Sequence, residues 1–336
     1  MPIDLLKFPN DLLREVFRLC DPFDLYILSK CSKKCSQRST TLGRPKKWEI
    51  SFWGWDELDV SIEDSHYYFI QTNNPEDYFK TELGRHTNKM DIEFPNGGGV
   101  DVFIHLIDIF GIRIVDSLEI THGSIAIFSK LAEVLVDRQM EIEFFAIGHI
   151  EQVQDVVNFA PTLSQMNITE EFRCFLKFPP DFHFNLVKYP RKMDIDDSSW
   201  FTIDELLNCT SVRIELQNSM LSNHDLDLFF RKWKKAGEFP NLRRLEIRSE
   251  NIDNKSPILE MNLPIENVDN PNLGVLIYGN FSIVNSVRVA KDDGTVGWLK
   301  VNVGFCGKLE FLIPDPADYV VNSVVEGIED NEDDDW

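Results

Sequence analysis

The most suggestive spacing of chemically active side chains begins at Asp194. Counted as the first position of a calcium-binding loop, Asp194 places Asp196 third, Ser198 fifth and Glu205 twelfth, which partly matches the ligand positions of an EF-hand. The sixth position is Ser199, although the sharp bend there needs glycine. We therefore predict a solvated acidic turn at this place, with a metal site as the weaker alternative.

Histidine, cysteine and serine form no recognisable catalytic or metal-binding motif. No histidine belongs to an H-E-x-x-H pair or is joined to a cysteine at zinc-ligand spacing. Cys31 and Cys35 lie one helical turn apart without a neighbouring histidine or acidic residue, and Ser117 and Ser124 near His122 lie in no G-x-S-x-G elbow. We predict no catalytic, cofactor-binding or metal-binding residues; an enzyme with an unrecognised site is the alternative.

The net charge of the chain disfavours anionic partners. The 336 residues contain 34 Lys and Arg against 56 Asp and Glu, a formal net charge of -22. Phosphate backbones and anionic lipid headgroups repel such a chain, so we predict neither nucleic acid nor membrane as a partner. The hydrophobic fraction of 43% is typical of folded protein.

Hydropathy and cysteine usage indicate an intracellular protein. The most apolar window, Val100 to Val115, is interrupted by four polar residues, which are Asp101, His105, Asp108 and Arg113. That is too many for a membrane span of about twenty residues. The six cysteines are scattered, and no secretory signal is evident at the N-terminus. We predict a cytoplasmic or nuclear location.

Two short helices are predicted near the N-terminus. Pro9 and Pro22 suit the first turn of a helix, where a missing N–H costs nothing, and Asp21 can cap the second helix. The first helix has a broad apolar face that consists of Leu12, Leu13, Val16, Phe17 and Leu19. Forty residues bury too little surface to be stable alone, so this segment needs a partner.

A repeated alternation of strand and helix is predicted farther along. Leu118–Ile120, Ile142–Phe144 and Met166–Ile168 are spaced 24 positions apart, and helical patterns follow the first two. The period lies in the range of leucine-rich repeats. Strands at 212–216 and 242–247 flank a helix that Ser222 caps and Gly237 ends. We predict an irregular strand-helix solenoid here, and beyond Gly274 hairpins around Asp292-Asp293-Gly294.

The N-terminal motifs resemble an F-box. They are Phe8-Pro9-Asn10-Asp11-Leu12-Leu13, Asp21-Pro22-Phe23-Asp24-Leu25 and Leu28-Ser29. Phe201 to Leu207, Val212 to Glu215 and Pro240 to Leu245 resemble the F-box-associated type 2 domain, which large nematode families join to an F-box. The resemblance covers roughly residues 4 to 42 and 185 to 255.

The resemblance implies a non-catalytic, cofactor-free substrate-recognition subunit of an SCF-type ubiquitin ligase. The F-box would bind a Skp-type adaptor and through it a cullin, while the body selects an unknown target protein. The adaptor-facing or supporting residues that the resemblance implies are Phe8, Pro9, Leu12, Leu13, Val16, Leu25 and Leu28.

A second hypothesis comes from a different class of protein. End repeats of a solenoid need a cap, so the F-box-like helices could instead cap a protein-binding scaffold that is not a ligase. Exposure of the apolar face of the first helix favours the first hypothesis, and burial against residues beyond 48 favours the second.

The predicted fold class is α+β or α/β, with five segments. They are a three-helix F-box at 1–42, a β-rich connecting region at 43–115, the repeat-like region at 116–255, C-terminal hairpins at 256–325 and an acidic disordered tail at 326–336.

Overall fold

The computed structural model describes most of the chain. The described residues are 7–31, 34, 48–52, 57–94, 98–120, 125–148, 150, 153–179, 182–184, 186–272, 274–277 and 281–314. The predicted third F-box helix and the acidic tail lie outside the described residues, as do Cys35, His122 and Ser124. The chain divides into two compact units. Unit 1 contains Met1–Leu176 and Phe184–Lys188, and unit 2 contains Lys177–His183 and Tyr189–Trp336.

Unit 1 contains a mixed β-sheet of eight described strands. They are β1 Glu49–Phe52, β2 Glu57–Ile62, β3 Ser65–Gln71, β4 Thr81–Leu83, β5 Thr87–Ile92, β6 Ile114–Ile120, β7 Glu141–Ile147 and β8 Asn167–Cys174. Their order in the sheet is β4-β5-β3-β2-β1-β6-β7-β8. Strands β1, β6, β7 and β8 are parallel, and so are β3 and β5. Strand β2 is antiparallel to β1 and β3, and β4 is antiparallel to β5.

The described helices of unit 1 are α1 Asn10–Leu19, α2 Pro22–Cys31, α3 Gly99–Phe110, α4 Ile125–Asp137 and α5 Val153–Leu163, with a 3-10 helix at Pro75–Asp77. Among these residues, α3 to α5 each precede a parallel strand, as a crossover requires. Gly111 ends α3 in the left-handed conformation with φ of 64°, which glycine adopts without steric cost. The Phe52 ring of β1 lies 5.7 Å from that of Phe103 on α3, both buried.

Unit 2 contains the helices α6 Ile203–Asn208 and α7 Asn223–Trp233. Its described strands are β9 Lys192–Ile195, β10 Arg213–Ser219, β11 Arg244–Ser249, β12 Gly274–Ile277, β13 Phe281–Val284, β14 Val287–Ala290, β15 Val296–Asn302 and β16 Gly307–Leu312. Six of them form the order β9-β10-β11-β16-β15-β14, and β12 pairs with β13 as a separate hairpin. Strands β9, β10 and β11 are parallel, and the other pairs are antiparallel.

The part of the unit 2 core that α7 covers lies on one face of the sheet, and on the opposite face Trp298 and Leu312 cluster with Val275 and Ile283. Alternate residues of β10 and β11 are buried, as are Phe229, Phe230 and Trp233 of α7. The Phe230 and Trp233 rings meet Phe311 of β16 edge-on, with centroids 5.0 and 4.8 Å apart. Such ring pairs stabilise a core by more than the burial of their apolar surface alone provides.

Comparison with the sequence expectations confirms a mixed α and β fold. The predicted strand-helix solenoid over 116–255 is not confirmed, because no helix joins β8 to β9 among the described residues of 174–192. The 24-residue alignment is wrong in register. Leu118 lies opposite Phe145, 27 positions on, and the pairing of β7 with β8 shifts between Ile142 and Phe144. A register shift of this kind adds a residue to one of the two strands, so a fixed 24-residue period cannot follow the strand pairing.

Two local predictions in unit 2 have different outcomes. The hairpin around Asp292-Asp293-Gly294 is present, since β14 pairs with β15. Ser222 caps α7 as expected, accepting from the Asp225 N–H, but the helix ends at Trp233 and not at Gly237. The Lys235 N–H donates to the Lys232 carbonyl, a tightening of the last turn that stops the helix early.

No helix among the described residues is both long and apolar enough to cross a membrane.

Candidate functional site

Helix α1 begins where the sequence predicted, with a small shift. Pro9 lies just before the first helical residue, Asn10, and its carbonyl accepts from the Leu13 N–H at 3.0 Å. The Cys20 N–H donates to the Val16 carbonyl at 3.2 Å and closes the last turn. Proline before the helix supplies a fixed φ without removing a bonded N–H.

The side chains of α1 divide into an inward and an outward set. Leu13 and Phe17 are buried. Leu12 and Leu19 are 48% and 85% exposed, and Val16 between them is half-buried. Residues spaced by three and four positions share one side of a helix. We call Leu12, Val16 and Leu19 the outer stripe, since this spacing places them in a row along α1.

Helix α2 begins at Pro22, as predicted, and is capped by the preceding residue. The Asp24 N–H donates to the Asp21 carboxylate at 2.8 Å, and the Leu25 N–H donates to the Asp21 carbonyl at 3.1 Å. Burial and the charge of Asp21 raise the pKa of Asp24. Because the Asp21 carboxylate satisfies an orphan donor of the first turn, the start of α2 is fixed by local chemistry.

Aromatic contacts hold α2 against β3. The Phe23 ring meets Tyr67 at 5.4 Å and Phe69 at 5.3 Å between centroids, edge-on in both cases. Tyr26 meets Phe69 at 5.2 Å and His105 of α3 at 5.8 Å. Phe23, Tyr26 and Phe69 are buried. Helix α2 is therefore part of the core of unit 1.

A polar contact adds to this packing. The Ser29 hydroxyl donates to the Tyr26 carbonyl at 2.6 Å and lies 2.8 Å from His105 Nε2. A hydroxyl has one hydrogen, so the neutral imidazole donates from Nε2 to the Ser29 oxygen. Burial, with a contribution from the Lys30 ammonium, lowers the pKa of His105 to about 4. Burial also raises the pKa of Tyr26 to about 12. Both groups are uncharged at neutral pH.

The structure separates the seven predicted adaptor-facing or supporting residues into three groups. Leu13 and Leu25 are buried and can only support the helices; Pro9 and Leu12 are exposed; Phe8, Val16 and Leu28 are half-buried. Their role in adaptor binding stays a prediction. Leu19 was part of the predicted apolar face but not of the predicted site, although it is the most exposed apolar residue of α1. Its spacing of seven from Leu12 could have identified it.

The predicted acidic turn contains no EF-hand. The Glu205 carboxylate accepts from the Thr202 N–H at 2.8 Å in the capping box of α6, and the Ser198 hydroxyl donates to the Gln217 carbonyl at 2.7 Å. Both side chains thereby serve local structure. Within the described part of the chain, no group of three or more His, Cys, Asp or Glu could hold a metal ion.

Comparison with known families supports the resemblance. Residues 5–47 match the F-box domain, and residues 181–247 match the F-box associated domain. No curated protein and no solved structure shows significant similarity to the chain. The chain thus contains an F-box domain and an F-box associated type 2 domain, the architecture typical of nematode F-box proteins. F-box domains generally bind a Skp-type adaptor, and F-box proteins are generally non-catalytic adaptors.

Proposed function

We propose that the chain is the substrate-recognition subunit of an SCF-type cullin-RING ubiquitin ligase. In this proposal α1 binds the Skp-type adaptor, and the remaining body binds a target protein. The observation that carries it is the outer stripe, in which Leu12 and Leu19 face solvent within the matched F-box domain. Burying exposed apolar side chains drives protein association.

The inward residues have a different role in this proposal. Leu13 and Phe17 are buried within unit 1, so they hold α1 in place and do not meet a partner. Truncating Leu13 would create a cavity that costs ~2–5 kcal/mol of folding free energy. A loss of adaptor binding by that variant could then come from a folding defect or from a binding defect. Leu12 and Leu19 separate the two effects, because both lie at the surface.

The first experiment is adaptor binding by the full chain that carries Leu12→Ala and Leu19→Ala. Loss of two anchors from one interface is expected to weaken adaptor binding by ~2–4 kcal/mol, or at least thirtyfold, with little change in melting temperature. The matched control carries Leu83→Ala and Leu228→Ala, which remove two leucines that are 72% and 45% exposed elsewhere. Undiminished adaptor binding by the α1 variant contradicts the proposal.

The alternative function is a protein-binding scaffold that is not a ligase, in which the F-box helices only cap the body. The packing of Phe23 and Tyr26 against β3 and α3 favours it. The two functions differ in what the outer stripe does. A wild-type chain that binds no Skp-type adaptor at micromolar concentration, with the α1 variant behaving identically, supports the scaffold.

A further inference from the structure

Two loops of unit 1 lie side by side at the amino ends of the parallel strands β6 and β7. The first joins α3 to β6 through residues 111–113, and the second joins α4 to β7 through residues 138–140. The Glu141 N–H donates to the Arg113 carbonyl at 3.4 Å, which connects the end of the second loop to the end of the first. The two loops therefore form neighbouring walls of one surface feature.

A cleft of about 500 Å³ lies between these walls. Small-molecule sites in proteins occupy about 300–1,000 Å³, so the cleft has the size of such a site. Its apolar lining consists of three buried side chains, which are Ile107, Ile112 and Met140. The charged side chains that line it are Asp108, Arg113 and Arg138. A ligand of this cleft needs an apolar part and a polar part.

The helix-end carbonyls beside the cleft already have hydrogen-bond partners. The Ile107 carbonyl of α3 accepts from the N–H groups of Gly111 and Ile112. In α4, the carbonyls of residues 134–136 accept from the N–H groups of residues 138–140, each at 3.0 Å. These bonds close the last turns of both helices. The carbonyls therefore do not need a donor from a ligand.

The side-chain donors of the cleft are only partly used. Arg138 Nη1 donates to the Asp108 carboxylate at 2.7 Å, so the acid that lines the cleft already has a cation. Arg113 is exposed, and within the described part of the chain its side chain makes no hydrogen bond, ion pair or ring contact. A guanidinium has five N–H donors. The cleft thus offers donors, and the matching ligand group is an acceptor.

Two further acids lie beside the cleft and belong to its charge balance. Asp137 and Glu141 are exposed neighbours of lining residues, although they do not line the cleft themselves. With Asp108 they outnumber the two arginines, so the mean field of this region does not attract an anion. Selection must come from direct contact. A carboxylate accepts two parallel hydrogen bonds from a guanidinium, whereas water and salt screen the exposed acids.

We propose that this cleft binds a small organic carboxylate with an aliphatic body. The carboxylate accepts from Arg113 and from the remaining donors of Arg138, and the aliphatic body contacts Ile112 and Met140. The size of the cleft favours a free small molecule, because a stable protein interface covers about 800 Å² on each partner. The proposal goes beyond the ligase function and does not depend on adaptor or target binding.

The first test compares three ligands of equal chain length on the full chain. Octanoate, 1-octanol and octylamine are negative, neutral and positive at neutral pH, and ligand-observed NMR titrations give their affinities. We expect a Kd of ~1 mM for octanoate, at least ~fivefold tighter than for 1-octanol and ~tenfold tighter than for octylamine. Equal affinities, tighter binding of octylamine, or no octanoate binding below ~10 mM overturn the proposal.

Substitutions of two lining residues should change octanoate affinity in opposite directions. Arg113→Gln removes the unpaired guanidinium and should weaken octanoate binding at least ~fivefold. Asp108→Asn releases Arg138 from its ion pair and should strengthen octanoate binding ~threefold. Unchanged binding of 1-octanol by both variants shows that the cleft is still folded.

The matched control for the first substitution is Arg85→Gln, which removes an exposed arginine of unit 1 that does not line the cleft. It should leave octanoate binding unchanged. Equal effects of Arg113→Gln and Arg85→Gln overturn the proposal, because octanoate affinity would then follow the overall charge of the chain.

Methionine methyl signals locate the ligand independently of charge. Met140 lines the cleft, whereas Met220 is 61% exposed in unit 2 and reports non-specific contact. In protein labelled with carbon-13 at the methionine methyl groups, octanoate should shift the Met140 signal and leave the Met220 signal in place. Met140→Leu and Met220→Leu assign the two signals. An unmoved Met140 signal, or an equal shift of both signals, overturns the proposal.

Discussion

Replacing Phe23 by alanine tests whether α2 is an integral part of unit 1. The buried Phe23 ring meets Tyr67 and Phe69 edge-on at 5.4 and 5.3 Å. Truncating a buried phenylalanine costs ~3–5 kcal/mol, and each edge-on ring pair accounts for ~0.5–1.5 kcal/mol. We expect Phe23→Ala to lower the free energy of unfolding of unit 1 by ~4 kcal/mol, near the middle of that range.

The assay is native-state hydrogen exchange of the full chain, measured by mass spectrometry. A single melting curve is unsuitable because the chain has two compact units, which can unfold separately. Peptides from α1 and α2 and peptides from β3 and α3 should lose protection together. The control is Phe305→Ala, in which a residue that is 98% exposed is removed and stability should change by less than ~0.5 kcal/mol.

A double-mutant cycle with Phe69→Ala measures the contact itself. The two substitutions should couple by ~0.5–1.5 kcal/mol, because the rings touch directly. Loss of protection confined to α1 and α2, with β3 and α3 unchanged, would refute the shared core. The F-box helices would then be an appendage that unfolds independently.

Two other perturbations test the pH dependence of unit 1 and the packing of unit 2. His105 has its pKa lowered to about 4 from 6.5, so the unfolded chain binds the proton first, and stability should fall as pH falls from about 6.5 to about 4. After discounting for partial exposure we expect a loss of ~1–2 kcal/mol in the stability of unit 1, read by hydrogen exchange of its peptides in urea at each pH. The loss should be absent in His105→Gln. A Cβ at Gly297 would lie 2.4 Å from the Phe311 ring, so Gly297→Ala should lower the stability of unit 2 by ~1–3 kcal/mol, read by hydrogen exchange of its peptides. Gly304→Ala, with no atom within 4 Å, should be nearly neutral. An unchanged pH slope in His105→Gln, or equal costs for the two glycines, would contradict this reasoning.

Local chemistry made the starts of the helices predictable. Pro22 has no N–H to lose at the first turn of α2, and the Asp21 carboxylate bonds the Asp24 N–H. Ser222 acts in the same way at α7. These signals depend on residues within one turn of each other, so the sequence contains all the information that is needed.

Long-range pairing was not predictable in the same way. The register of β6 against β7 depends on which side chains pack against the helices, and the shift between Ile142 and Phe144 breaks any fixed period. The contact of Ser29 with His105 joins residues 76 positions apart. No sequence pattern indicated it, because a lone histidine between apolar residues is compatible with many environments.

The candidate site was predictable as a set of residues but not as a surface. The apolar spacing of α1 identified Leu12, Leu13, Val16, Phe17 and Leu19 together. Which of them face the core depends on where the helix meets the rest of unit 1. Periodicity alone therefore could not separate Leu12 and Leu19 from Leu13 and Phe17.

Because α1 has a buried side and an exposed side, the same packing of the F-box helices is compatible with both the ligase hypothesis and the scaffold hypothesis. Only Cys20 and Asp21 separate α1 from α2, and α2 is fixed by contacts with β3 and α3. The packing that would make these helices a cap also holds the outer stripe of α1 in a defined orientation on unit 1. The burial of α2, which favours the scaffold, is thus also compatible with adaptor binding, because the exposed leucines belong to α1. The two hypotheses differ only in whether a partner covers Leu12 and Leu19.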